Sequence, residues 1–311
     1  MMVLFDKPHV RPCVSIPSDG NEASEWIASI PHLYERLTSP LPLAGASTLP
    51  RSLGSDEPRL AAALRAEAPW LGNAIDRIAD QTAMQLWAGR PWLAFRPLLL
   101  VGPPGAGKTH LTRRIGELSG CGSAILSLAG VNSNAELAGN PRGFRHAQPC
   151  FPAMAMLRAQ CANPVIVIDE VEKAACGDMG DPVGTLLGLL ERSTARRYFD
   201  GCLAAEIDLS HVNWILTANR VDRLPAPLLS RVDIVEVTGP GPDHAEVVLA
   251  GLWRAVARDV GLPPSALPRI EAAAETALLR LFRNTRSVRR LRRAIETVVA
   301  VSARHVPRTV N

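Results

Sequence analysis

The stretch Val101-Gly-Pro-Pro-Gly-Ala-Gly-Lys-Thr109, preceded by the apolar residues Leu98, Leu99 and Leu100, decides the reading of this chain. It fits the spacing G-x-x-x-x-G-K-[ST] at Gly102, Gly107, Lys108 and Thr109. A helical pattern over residues 109–118 follows at once, so the order is strand, glycine-rich loop, helix. Glycines 102, 105 and 107 let the backbone turn tightly and aim successive N–H groups inward, and the helix after them offers the positive end of its dipole to an anion. In such a loop Lys108 reaches the β- and γ-phosphates and the Thr109 hydroxyl ligates Mg²⁺. Glycine-rich turns are common, but the full eight-residue pattern in this setting is not, so it implies a nucleoside triphosphate site.

Downstream, four β-branched residues, Val165-Ile-Val-Ile168, close on Asp169-Glu170. A strand buried on both faces reads this way, and its C-terminal edge is where open α/β sheets place ligands. Asp169 is expected to hold Mg²⁺, directly or through water, and Glu170 to polarise the attacking water. An acidic helix start is the alternative spelling of Asp-Glu; the upstream loop and the apolar run before it favour catalysis. Residues 123–128 and 212–216 read as further buried strands, and the second ends in Thr217-Ala-Asn219. The Asn219 amide there either orients the lytic water, contacts the γ-phosphate, or caps a turn. Between these runs, residues 130–152 are rich in Asn, Gly and Pro and read as a loop, and a helix is expected to begin at residues 154–157. Tyr198-Phe-Asp-Gly201 marks a hairpin. Arg231 stands just ahead of a last strand-like run, 233–237. Its planar, permanently charged fork suits a finger acting in trans on a transferred phosphoryl group; a plain surface arginine is the alternative.

Around this centre the chain divides into three. Residues 1–60 form a proline-punctuated arm with one apolar stripe at near-helical spacing over 22–37. Residues 61–238 form the α/β nucleotide-binding domain, entered through two helices broken at Pro69-Trp-Leu-Gly72. After the linker signal Gly239-Pro-Gly-Pro242, residues 239–311 give three amphipathic helices, a small all-helical domain. That domain carries arginines at 280, 283, 286, 289, 290, 292 and 293. A formal net charge of +4 over 311 residues is too small to argue nucleic-acid binding by itself. Six cysteines without C-x-x-C spacing point to a reduced compartment, and no apolar run of membrane-spanning length or signal peptide is evident, so a cytoplasmic protein without a membrane partner is expected.

This order of motifs resembles the AAA+ ATPases, and more narrowly the ATPase module of the Lon proteases, over about residues 67–305. Gly102 to Thr109 matches Walker A, and Asn163-Pro-Val-Ile-Val-Ile-Asp-Glu-Val-Glu-Lys173 resembles Walker B with Lon-type flanks. The runs from Tyr198-Phe-Asp to Thr217-Ala-Asn219, Pro227-Leu-Leu-Ser-Arg-Val232 and Ser287-Val-Arg289 are similar to the segments carrying sensor 1, the arginine finger and sensor 2. The resemblance implies a P-loop AAA+ parallel sheet flanked by helices and followed by a helical lid. It makes Gly102, Pro103, Pro104, Gly105, Ala106, Gly107, Lys108, Thr109 and His110 the nucleotide-binding set, and Thr109 and Asp169 the metal pair. Glu170, Asn219, Arg231 and Arg289 become the catalytic set. It also aligns Glu136-Leu-Ala-Gly139 with the start of a substrate-gripping loop, with Phe144 at its aromatic position, although Arg145 and His146 replace the expected aliphatic residue and glycine.

The implied activity is hydrolysis of ATP with Mg²⁺ by an ATP-stabilised homo-hexameric ring, coupled to remodelling of a protein partner. No peptidase segment follows the lid in this sequence, so no proteolysis is expected of it. Two other readings stay open: a nucleic-acid-associated machine using the lid arginines, and an assembly switch gated by slow hydrolysis.

Overall fold

A computed structural model describes residues 59–130, 133–174, 180–268 and 270–305. The proline-rich arm and its apolar stripe lie outside the described residues.

Seven strands are present among these residues: β1 (Leu98–Val101), β2 (Ser123–Ser127), β3 (Val165–Asp169), β4 (Tyr198–Asp200), β5 (Ala205–Ile207), β6 (Asn213–Ala218) and β7 (Asp233–Glu236). Five form a parallel sheet in the order β2-β3-β6-β1-β7, and β4 pairs with β5 in a separate antiparallel hairpin. Strands β1 and β6 are buried at every position, as apolar runs in a doubly covered sheet require.

The strand period of two sorts their side chains into two cores. Leu99, Val101, Ile166, Ile168, Trp214 and Leu216 face one layer, where α5 (Phe151–Ala159) and α6 (Pro182–Leu190) cover them. Leu98, Leu100, Val165, Ile215 and Val235 face the other. That side is covered by α1 (Arg59–Glu67), α2 (Gly72–Trp87) and α3 (Lys108–Ser119).

Loop 130–152 is less irregular than its composition predicts, because α4 (Ala135–Ala138) forms one turn within it. Helix α5 also starts ahead of residue 154: Pro152 sits in its first turn, where a missing N–H costs no helical bond. Between the strands, α7 (Arg192–Ala195) and α8 (Ala226–Leu229) are single turns. Helices α9 (Ala245–Asp259), α10 (Ala272–Thr285) and α11 (Val288–His305) then build a small bundle around Val248, Leu249, Leu278, Phe282, Leu291 and Ile295. Trp70 packs against both this bundle and the sheet's second core, where its ring lies 5.4 Å from that of His244. Among the described residues no helix is long and apolar enough to cross a membrane.

Candidate nucleotide-binding site

Strand order decides what meets at the sheet edge. With β6 between β3 and β1, the C-terminal ends of these three strands lie side by side. They deliver Asp169-Glu170, Thr217-Ala-Asn219 and the 102–107 loop to one place.

The loop has the backbone that its glycines predict. Gly105 and Gly107 hold φ of 85° and 94°, a region open to glycine at little cost. At Gly102 the reason is space, since an added Cβ would lie 2.0 Å from the Val237 carbonyl oxygen. Trp70 Nε1 donates to the Ala106 carbonyl at 2.8 Å, fixing the loop from outside. Pro103, Pro104 and Gly105 are exposed, as a cradle for an incoming ligand must be.

Lys108 opens α3 but is buried, at 9% exposure, and its Nζ donates to the carbonyls of Gly102 (2.5 Å) and Pro103 (3.3 Å) and to Asn219 Oδ1 (3.4 Å). Burial lowers its pKa, and the charges of Asp169, Glu172 and Glu170 oppose that shift. An ammonium held by neutral acceptors inside a ring of carboxylates fits a polyanion that arrives with its own cation. Thr109 is exposed beside it, and Mg²⁺ commonly takes only one or two protein carboxylates and completes its shell with phosphate and water. Thr109 and Asp169 fit that role.

His110, the next residue of α3, has Nε2 3.8 Å from Glu67 Oε2, and burial holds its pKa below the ordinary histidine range, helped by the positive charge of Arg113. Arg114 clamps Glu67 at 2.7 and 2.6 Å and also binds Glu117, so α1 is pinned to α3 just behind the loop.

At the end of β3, Thr217 donates its hydroxyl to Asp169 Oδ1 and accepts from the Glu170 N–H at 3.2 Å. Glu170 has a left-handed backbone, φ 56° and ψ 45°, which reverses the chain into the 3₁₀ turn Val171–Lys173. That reversal puts Lys173 Nζ 2.5 Å from Glu170 Oε1 and turns Glu172 back to Asn219. Sequence reading missed Glu172 and Thr217 as site residues. The three-residue step from Asp169 to Glu172 faces the site only because of the turn.

One of the sequence-derived residues lies elsewhere. Arg231 precedes β7, whose Asp233 pairs with Leu98 at the start of β1, so Arg231 sits at the sheet edge opposite the loop. It donates to the Pro227 carbonyl at 2.9 Å and faces Glu191 at 3.7 Å. Arg289 is exposed on the first turn of α11. Two other lid arginines, Arg283 and Arg292, are paired within the lid with Glu246 and with Asp259 and Glu296. Phe144 is 68% exposed in a loop closed by a bridge between Asn140 and Gln148, so it does not anchor that loop to the core.

A parallel sheet with a phosphate loop after one strand, an Asp-Glu pair after another and a polar amide between them defines a P-loop ATPase with a helical lid. The comparisons agree: residues 98–239 match the ATPase family associated with various cellular activities (AAA). The chain is 32% identical over 248 residues to the Lon protease of Brucella abortus biovar 1 (strain 9-941), covering 79% of this chain and 30% of that protein. It is 35% identical over 164 residues to the Lon protease of Aquifex aeolicus (strain VF5), covering 53% of this chain and 21% of that protein. With the Lon protease of Brevibacillus choshinensis it shares 34% identity over 208 residues, 67% of this chain and 27% of that protein. The chain thus carries an AAA ATPase domain at residues 98–239 and is similar to Lon proteases, of whose length it spans less than a third.

Proposed function

We propose that this protein hydrolyses ATP with Mg²⁺ as a ring, with six protomers the expected number, and uses the cycle to remodel a protein partner. In this reading residues 61–238 are the catalytic unit and residues 239–311 the lid. The observation that carries the reading is Lys108, a buried ammonium among carbonyls and an amide, faced by the carboxylates of Asp169 and Glu170.

Each residue then has one task. The backbone of Gly102 to Gly107 and Lys108 bind the phosphates, with His110 beside them on α3, and Thr109 and Asp169 place the cation. Mg²⁺ supplies neutralisation of phosphate charge when bound. Glu170 accepts the proton of the attacking water once it leaves Lys173, and Asn219 orients that water. Arg289 is assigned to the lid's contact with nucleotide. Arg231 lies across the sheet from its own loop, so its guanidinium completes the site of a neighbour, and assembly becomes part of catalysis. Phe144, exposed at a loop tip, is assigned to the polypeptide being remodelled. The relatives' name, Lon protease, favours a protein substrate over nucleic acid.

The test is light scattering of Glu170→Gln with and without ATP–Mg²⁺, beside phosphate release by the wild type and by Arg231→Ala. The expected result is a nucleotide-dependent ring and wild-type turnover, with Arg231→Ala binding ATP but turning over about 10³-fold or more slowly. A monomer under all conditions, or wild-type turnover by Arg231→Ala, overturns the ring reading.

A further inference from the structure

Glu172 is a carboxylate near the loop to which the proposed cycle gives no task. Its Oε1 accepts two hydrogen bonds from a single residue, from Asn219 N at 3.0 Å and from Asn219 Nδ2 at 2.8 Å. On its other side Asn219 accepts, at Oδ1, from Lys108 Nζ at 3.4 Å. A carboxylate only accepts and an ammonium only donates, so these two neighbours leave the amide one orientation: nitrogen to Glu172, oxygen to the loop. Without Glu172 nothing on that side distinguishes the two ends of the amide, and a flipped Asn219 would turn a donor toward Lys108.

The cost of keeping this group is visible in the structure. Glu172 Oε2 is buried without a hydrogen-bond partner among the described residues, and such an orphaned acceptor lowers stability. Its backbone is placed by the left-handed turn at Glu170, itself a strained conformation for a residue with a side chain. A strained turn and an unsatisfied carboxylate oxygen are what a site tolerates when geometry serves chemistry.

We infer that Glu172 is a positioning residue for hydrolysis, locking the Asn219 amide with its oxygen toward the phosphate loop, where it can accept from Lys108 or from the attacking water. This rests on the ATPase reading of the site. Glu172 acts through Asn219 and touches neither phosphate nor water.

The test measures phosphate release, equilibrium binding of a fluorescent ADP and thermal unfolding for Glu172→Ala, Glu172→Met, Glu172→Gln, Asn219→Ala and the double variant Glu172→Met/Asn219→Ala. Glu172→Met keeps the side chain's bulk, so it serves where Glu172→Ala fails to fold. In Glu172→Gln an amide oxygen can still take both bonds from Asn219. The expected outcome is a kcat lowered about tenfold or more in Glu172→Met, with ADP affinity changed less than about threefold. Glu172→Gln should stay within about fivefold of wild type, and in the Asn219→Ala background Glu172→Met should cost nothing further, because a residue acting through another is silent once that one is gone. A wild-type kcat in Glu172→Met, losses that multiply in the double variant, or Glu172→Gln falling as far as Glu172→Met overturns the inference. A wild-type protein that binds ADP and releases no phosphate overturns the ATPase reading itself, and the inference with it.

Discussion

Lys108 shows how a single residue sets stability against function. Its ammonium is taken out of water and met by neutral acceptors, an arrangement that favours binding a polyanion and disfavours the empty fold. Lys108→Met should therefore abolish nucleotide binding in a fluorescence titration while leaving the melting temperature unchanged or higher. A clear drop in melting temperature would show that the lysine holds the loop together for structural reasons. The residues legible in sequence, Gly102, Gly107, Lys108 and Thr109, are those whose task is fixed by local spacing, because the loop, its glycines and the helix start are contiguous. Glu172 was not legible, since its partner Asn219 is 47 positions away and is reached only through a left-handed residue at 170.

At the scale of elements, the β4–β5 hairpin and the loop carrying Phe144 behave as one piece. Asp200, 1% exposed, accepts from Cys150 N at 2.7 Å, Cys202 N at 2.8 Å and Leu203 N at 2.9 Å. Arg142 returns the contact, its guanidinium donating to the carbonyls of Cys202 and Leu203 at 2.6 and 3.3 Å. Each of the two presents an exposed ring, Phe144 on the loop and Phe199 on β4. Asp200→Ala strands three backbone donors, and should cost about 3 kcal/mol in denaturant unfolding. Hydrogen exchange should accelerate at residues 140–150 and 201–203 together; acceleration at one segment alone would show them to be independent. The hairpin was readable from Tyr198-Phe-Asp-Gly201, a local turn signal. Its docking on loop 140–150 was not, because no periodicity in either segment encodes a contact between them.

Across the whole molecule, Trp70 joins the phosphate loop to the lid through its bond to Ala106 and its ring contact with His244. Trp70→Phe keeps a ring but removes the donor, so stability should fall by about 1 kcal/mol, and lid helices α9–α11 should exchange faster. An unchanged lid would confine Trp70 to the loop. Two histidines give the fold a pH dependence. Burial lowers the pKa of both His110 and His211 from the ordinary value of 6.5, further assisted by nearby arginines. Their neutral forms are favoured in the fold, so the unfolded chain binds more protons between the lowered values and 6.5, and stability falls as pH drops through that window. Melting temperatures from pH 7.5 downward should show this loss, and His110→Gln with His211→Gln should flatten it.

The sequence by itself determined the strands, their order of motifs and the identity of the phosphate loop, because buried runs, glycine placement and helix periodicity are written in contiguous residues. It also marked three amphipathic helices as a separate bundle, for the same reason. Only the tertiary structure decided which strand ends meet. The order β2-β3-β6-β1-β7 sets Asn219 between Lys108 and Glu172 and carries Arg231 to the far edge of the sheet. Pairing between strands distant in sequence is a choice among crossovers, and that choice is made by packing two apolar faces at once, which no single segment specifies.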